Sequence, residues 1–136
     1  MRPIALDTNA YVAFMRGEAA AVEVMRCADH LLLSVTVLGE WLAGFSCGAQ
    51  EARNREELSL FLASSRVEIC PSASETADAY GQIFHALRRK GRPIPSNDIW
   101  IAASCLERGA LLFSFDRHFE EVDGLRLIRS WAEALP

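Results

Sequence analysis

The segment Leu111-Leu112-Phe113-Ser114-Phe115-Asp116-Arg117-His118-Phe119 constrains the fold more than any other part of the chain. An apolar run ends in a hydroxyl and then an acid. A strand buried on both faces reads this way, delivering Ser114 and Asp116 to the carboxyl edge of an open α/β sheet, where such sheets bind ligands. Just upstream stands Asn97-Asp98-Ile99-Trp100-Ile101-Ala102-Ala103, preceded by Pro93-Ile94-Pro95-Ser96. A loop ends there and a helix begins, with Asp98 in its first turn. Asp98 to Arg108 is nearly apolar all round, which predicts a buried helix ended by Gly109.

The rest of the chain repeats the alternation. Ile4-Ala5-Leu6 predicts a short strand followed at once by Asp7-Thr8-Asn9, with a helix from Ala10 to Arg16 stopped by Gly17. Asp7 either caps that helix or serves a site, and Thr8 and Asn9 are placed to hydrogen-bond its carboxylate. Glu18 to Asp29 predicts a second helix, and Leu31 to Leu33 a strand closed by Ser34. Val35 to Phe45 follows as helix, with Leu38, Trp41, Leu42 and Phe45 on one face and Glu40 toward its edge, as a solvated acid or a site residue. Gln50 to Ala63 predicts a charged amphipathic helix, Val67 to Cys70 a strand. A helix then runs to about Lys90, capped by Ser72 or Ser74, its buried stripe being Ala77, Tyr80, Ile83, Phe84 and Leu87. Asp116 to Glu121 forms a turn or short helix and Leu125 to Ile128 a last strand. Strand and helix in alternation imply a mostly parallel sheet of about five strands, flanked by helices, in one domain over residues 1–136.

Composition excludes several classes. With 51% hydrophobic and 24% charged residues and a net charge of −4, the chain is neither disordered nor coated for nucleic acid. No apolar run reaches membrane-spanning length, and Asp7 comes too early for a signal peptide, so a cytoplasmic location without membrane contact is expected. Cys27, Cys47, Cys70 and Cys105 lack paired spacing and are expected to be mostly core thiols. Arg88, Arg89, Lys90 and Arg92 either complement a helix C-terminus or form a phosphate-contacting edge leading into the Asp98 loop. His118 stands near the acids and is read as turn chemistry or packing rather than as a metal ligand.

Asp7, Glu40, Asp98 and Asp116 thus stand at element junctions or beside them. In a parallel sheet Asp7 and Asp116 share one edge. At roughly 6 Å and an effective dielectric near 20, each pair of carboxylates repels by about 3 kcal/mol. Such a cluster calls for a hard divalent cation, and an all-oxygen set suits Mg²⁺ or Mn²⁺. Carboxylate-held magnesium contacts phosphate oxygens and activates water, which is the chemistry of phosphodiester hydrolysis.

These segments resemble, in order, the motifs of PIN-domain nucleases, most closely the small VapC-type toxins of toxin–antitoxin pairs: Ile4 to Asn9; Ser34-Val35-Thr36 with Glu40 and Gly44; Asn97 to Ala103; Leu112 to Phe119. The resemblance implies that Asp7, Glu40, Asp98 and Asp116 are the acidic metal-binding and catalytic set, with Thr8, Asn9, Asn97 and Ser114 in support. Ser114 stands where many relatives carry Thr. It further implies an Mg²⁺- or Mn²⁺-dependent endoribonuclease, a homodimer, and inhibition by a small VapB-like antitoxin. Two other readings accompany it: a PIN nuclease of RNA processing without antitoxin, and a non-catalytic RNA- or partner-binding module. The acid pocket would suit an inhibitor's basic side chain. Trp41, Phe45 and Phe61 would either receive its apolar segment or simply fill the core. A Rossmann cofactor site is disfavoured, since no glycine fingerprint follows the first strand.

Overall fold

Five short strands set the frame: β1 (Ile4–Leu6), β2 (Leu31–Ser34), β3 (Val67–Cys70), β4 (Leu111–Phe113) and β5 (Leu127–Ile128). In this computed structural model, which describes residues 2–136, they form one parallel sheet in the order β3-β2-β1-β4-β5. Every residue of β1, β2 and β4 is buried, so these strands are continuously apolar rather than alternating. Seven helices flank the sheet: α1 (Thr8–Met15), α2 (Ala19–Cys27), α3 (Val35–Ser46), α4 (Glu51–Leu62), α5 (Ser74–Lys90), α6 (Ser96–Glu107) and α7 (Trp131–Ala134). The expected five-stranded parallel α/β architecture is therefore the one observed.

The strand order places a topological switch at the centre. From β1 the chain moves outward to β2 and β3, whereas from β4 it moves the other way to β5. Leu6 pairs with Phe113, so the segments that leave these two strands start side by side and diverge. The crevice between them is where open α/β sheets take ligands.

Several local expectations are corrected. Helix α1 begins at Thr8, not Ala10, because the chain turns directly out of β1 at Asp7. Neither Ser72 nor Ser74 caps α5; Ala73 is the N-cap, and its N–H donates to Thr76 Oγ1 at 3.1 Å. The buried stripe of α5 is Thr76, Ile83 and Leu87 with Tyr80 half-buried, while Ala77 and Phe84 are exposed. The stripe is rotated because the Thr76 hydroxyl is drawn inward, donating to Glu107 Oε2 at 2.6 Å on α6. Strand β5 is shorter than expected, since a turn with Gly124 at φ 81° takes up Leu125. Only Cys70 and Cys105 are buried; Cys27 is half-buried, Cys47 exposed, and all four are free.

Helices α5 and α6 pack closely as a pair, and α6 also touches α3 and β4. The Thr76–Glu107 bond fastens the start of α5 to the end of α6, and the Tyr80 hydroxyl lies 2.9 Å from Ser96 Oγ at the start of α6. Thr76 is fully buried. Thr76→Val leaves the Ala73 N–H and the Glu107 carboxylate without this partner, and is expected to lower unfolding free energy by about 2 kcal/mol. Urea unfolding checks it; an unchanged midpoint would show that the hydroxyl adds nothing.

Candidate active site

The four acids meet at the β1/β4 edge. Asp7 leaves β1 in extended conformation and donates its N–H to the Phe113 carbonyl at 3.0 Å, continuing the ladder one residue past the strand. Its carboxylate makes no capping bond to α1. Instead Oδ2 accepts from Ser114 Oγ at 2.6 Å, and the same hydroxyl oxygen accepts the Asp116 N–H at 3.0 Å. A fully buried serine thus couples the ends of two strands. Asp116 caps the 3₁₀ turn Arg117–Glu121, its Oδ1 accepting the His118 N–H at 2.9 Å. Asp98 enters from the first turn of α6, where the helix N-terminus favours an anion. Glu40 comes from the middle of α3.

The supporting residues divide. Thr8 and Asn9 do not bond the Asp7 carboxylate through their side chains. Because α1 starts at Thr8, both are carried onto its first turn: Thr8 Oγ1 donates to Glu40 Oε1 at 2.6 Å, and Asn9 Oδ1 accepts the Phe115 N–H at 3.1 Å. One fixes the acid of α3, the other the backbone between Ser114 and Asp116. Asn97 is exposed on the first turn of α6. In the basic cluster, Lys90 is already engaged, its Nζ 2.7 Å from the Glu121 carbonyl and 2.8 Å from Asp123 Oδ1, while Arg88, Arg89 and Arg92 are exposed.

His118 has the turn role expected of it, its N–H donating to Asp116 Oδ1, and its ring also reaches Asp98. Its Nδ1 lies 2.9 Å from Asp98 Oδ2 and 3.3 Å from Asp116 Oδ1. The Asp116–His118 spacing on a turn directly after a strand is the only signal that could have pointed to the Asp98 contact.

Electrostatics agree with a crowded acid cluster. Burial pushes the Asp7 carboxyl up from 3.8 to about 6, with the charges of Asp98 and Glu40 adding to the rise and the bonds from Ser114 and the Thr8 N–H opposing it. Burial also raises Asp98; Asp116 and Glu40 add to that, and the His118 bond resists it. That same bond, with the two acids, raises His118 above the usual imidazole value. Asp7 and Glu40 are near enough to feel Asp98, yet the tightest potential ligand group is Asp98, Asp116 and His118, with donor atoms all within 4.8 Å of one another. Two carboxylates and one imidazole make up that group, with Asp7 and Glu40 beside it, and oxygen and nitrogen donors of this kind fit a hard or borderline divalent cation.

A cleft of about 380 Å³ opens beside the site between α1, α3 and α4. It shares Thr8 and Glu40 with the acid network and is lined further by Tyr11, Arg16, Trp41 and Phe45. Trp41 is core, stacked on Tyr11 at 4.0 Å, whereas Phe45 and Phe61 are only half-buried. Of the two expectations for these aromatics, Trp41 meets the core-filling one, and Phe45 and Phe61 pack against the core with part of each side chain open.

The profile of the PIN domain matches residues 4–125. The chain is 27% identical over 128 residues to Ribonuclease VapC1 of Haemophilus influenzae (strain R2866), covering 89% of this chain and 92% of that protein. It is 29% identical over 124 residues to the tRNA(fMet)-specific endonuclease VapC of Shigella flexneri, with the same coverage. Among solved structures it is similar to VapBC2 from Rickettsia felis, bound to a DNA fragment from the promoter, with a TM-score of 0.84 and 26% identity over 93% of this chain and 97% of that one.

A buried carboxyl with a raised pKa makes the fold bind its proton more tightly than the unfolded chain does. Stability from Asp7 is then fully present below pH 3.8 and is lost as pH rises toward about 6. Asp7→Asn is expected to be nearly neutral at pH 3.5 and to stabilise the metal-free protein at pH 7.5 by up to about 3 kcal/mol. Denaturant melts at the two pH values check this; a mutant less stable than wild type at pH 7.5 would contradict it.

Proposed function

The chain belongs to the PIN domain family, and from that premise we propose that it is the endoribonuclease toxin of a toxin–antitoxin pair, acting as one domain over residues 1–136. The observation that carries this reading is the convergence of Asp7, Glu40, Asp98 and Asp116 on the switch-point crevice, with burial and mutual charge raising both Asp7 and Asp98. The relatives named ribonucleases and the VapBC neighbour support the substrate class and the antitoxin. Among the described residues no helix is long and apolar enough to cross a membrane; a cytoplasmic location belongs to the toxin reading.

The acids would hold Mg²⁺ or Mn²⁺. Such an ion supplies charge neutralisation at the scissile phosphate and a water acidified toward hydroxide. The chain's own groups do the positioning. Ser114 holds Asp7 Oδ2, Thr8 holds Glu40 Oε1, and Asn9 holds the Phe115 backbone, so the carboxylates are oriented before RNA arrives. Hydrolysis by such a water would leave a 5′-phosphate and a 3′-hydroxyl, as the resemblance to PIN-domain nucleases implies. Arg88, Arg89 and Arg92 are free to neutralise phosphates along the approach. A homodimer is the working form. The antitoxin would lay an apolar segment in the cleft between α1, α3 and α4 and bring a basic side chain beside Glu40.

Asp98→Asn is expected to cut RNA cleavage at least about 100-fold with the melting curve of a folded protein. Gel mapping of cleaved total RNA, with and without chelator, tests this; wild-type cleavage by the variant would remove Asp98 from the site. RNA bound but never cut, at any metal concentration, would favour the non-catalytic module.

Neutralising Arg88, Arg89 and Arg92 together should weaken RNA binding and flatten the slope of log K against log salt by about 2. Fluorescence-anisotropy titrations at graded salt measure the slope; an unchanged one leaves the cluster as a helix-end complement only.

A further inference from the structure

We infer that His118 is a nitrogen ligand of the metal centre, and that it tilts the site toward Mn²⁺ over Mg²⁺; this rests on the metal-dependent nuclease reading above. The imidazole is not packed into the core, since its side chain is 51% exposed. It is held by design of the backbone: the turn after β4 ties the His118 N–H to Asp116 Oδ1 at 2.9 Å, and this aims Nδ1 at the gap between two acids. Nδ1 stands 2.9 Å from Asp98 Oδ2 and 3.3 Å from Asp116 Oδ1. Two ligand atoms on adjacent corners of an octahedron with bonds of 2.0–2.1 Å are themselves about 3 Å apart. The spacing that reads as hydrogen bonding without an ion is thus also the spacing of a shared coordination sphere. With the ring proton on Nε2, which of the two nitrogens carries it being free to change, the Nδ1 lone pair would be available to a bound ion.

Carboxylates suit Mg²⁺ and Mn²⁺ alike, whereas an imidazole nitrogen is a softer donor that the harder Mg²⁺ accepts less readily than a first-row transition-metal ion does. A residue that only held Asp98 in place through a hydrogen bond would serve both ions alike. The two roles therefore separate by metal preference and by spectroscopy, without reference to cleavage.

The test is pulsed EPR of Mn²⁺ bound to the full-length, RNA-free protein, with Mg²⁺ competition followed on the same samples. The wild type is expected to show ¹⁴N modulation from a directly bound imidazole, replaced by ¹⁵N coupling when histidine is labelled. His118→Ala and His118→Asn should lose it, with Mn²⁺ affinity falling about tenfold and Mg²⁺ affinity changing far less. Bound Mn²⁺ without imidazole coupling in the wild type overturns the inference whatever the variants do, and so do equal losses for both ions. Mn²⁺ binding that Asp98→Asn leaves untouched overturns the nuclease-site reading as well, so the two failures are told apart.

Discussion

The pairing of β1 with β4 is the constraint on which the site depends. These two strands lie far apart in the chain, yet their parallel register brings Leu6 opposite Phe113 and carries the ladder on through the Asp7 N–H. One residue further, Asp7 and Ser114 can meet. A slip of one position would turn Ser114 to the other face of the sheet, away from Asp7, and would set each side chain of β4 against the opposite helix layer, whose packing does not match it. Hydrophobic burial of β1 and β4 thereby fixes polar geometry that the polar residues are too few to fix themselves.

The site stores a conflict in that scaffold. Asp7 is almost wholly buried and its carboxyl is pushed toward neutrality, with a single serine hydroxyl as its chief side-chain compensation. Asp98 is crowded by Asp116 and Glu40, relieved in part by His118. A fold optimised for stability alone would not gather these groups. The core offsets the strain: Phe113, Phe119, Leu6, Leu112 and Ile128 are all essentially inaccessible around the sheet edge that carries the acids. Such placement of unfavourable charge on a rigid apolar platform would make a cation's binding favourable, since an ion would relieve repulsion already present.

Much of this was legible in the sequence, and what was not has physical causes. Apolar runs three or four residues long, closed by Asp7, Ser34 and Ser114, announce buried parallel strands because nothing but a doubly covered sheet accommodates them. Asp98 is legible because proline and serine precede a sequence that can only be a buried helix. The partners of Thr8 and Asn9 were not legible. Whether a hydroxyl next to an acid bonds that acid or a glutamate on another helix depends on where the helix starts, and a shift of two residues decided it. The rotated stripe of α5 has the same origin: Thr76 is polar by composition, but its hydroxyl, though buried, is satisfied by the Glu107 carboxylate at the exposed end of α6. The contact of His118 with Asp98 was not legible because Asp98 arrives from a different element, and sequence order does not record that encounter.

The Ser114–Asp7 bond joins residues separated by 107 positions, nearly the two ends of the chain. No fragment that ends before β4 contains a β1 edge with both its acid and its serine, and no local element forms the crevice by itself. Closing so long a loop is slow, and it is rewarded only when the central strands are seated together. The chain therefore acquires its chemistry and its global fold in the same event. During synthesis Asp7, Glu40 and Asp98 emerge before the segment that carries Ser114 and Asp116, so the carboxylates have no common edge to meet on until β4 has emerged. The topology is in this sense a timing device: it keeps a destructive activity latent for as long as the molecule is unfinished.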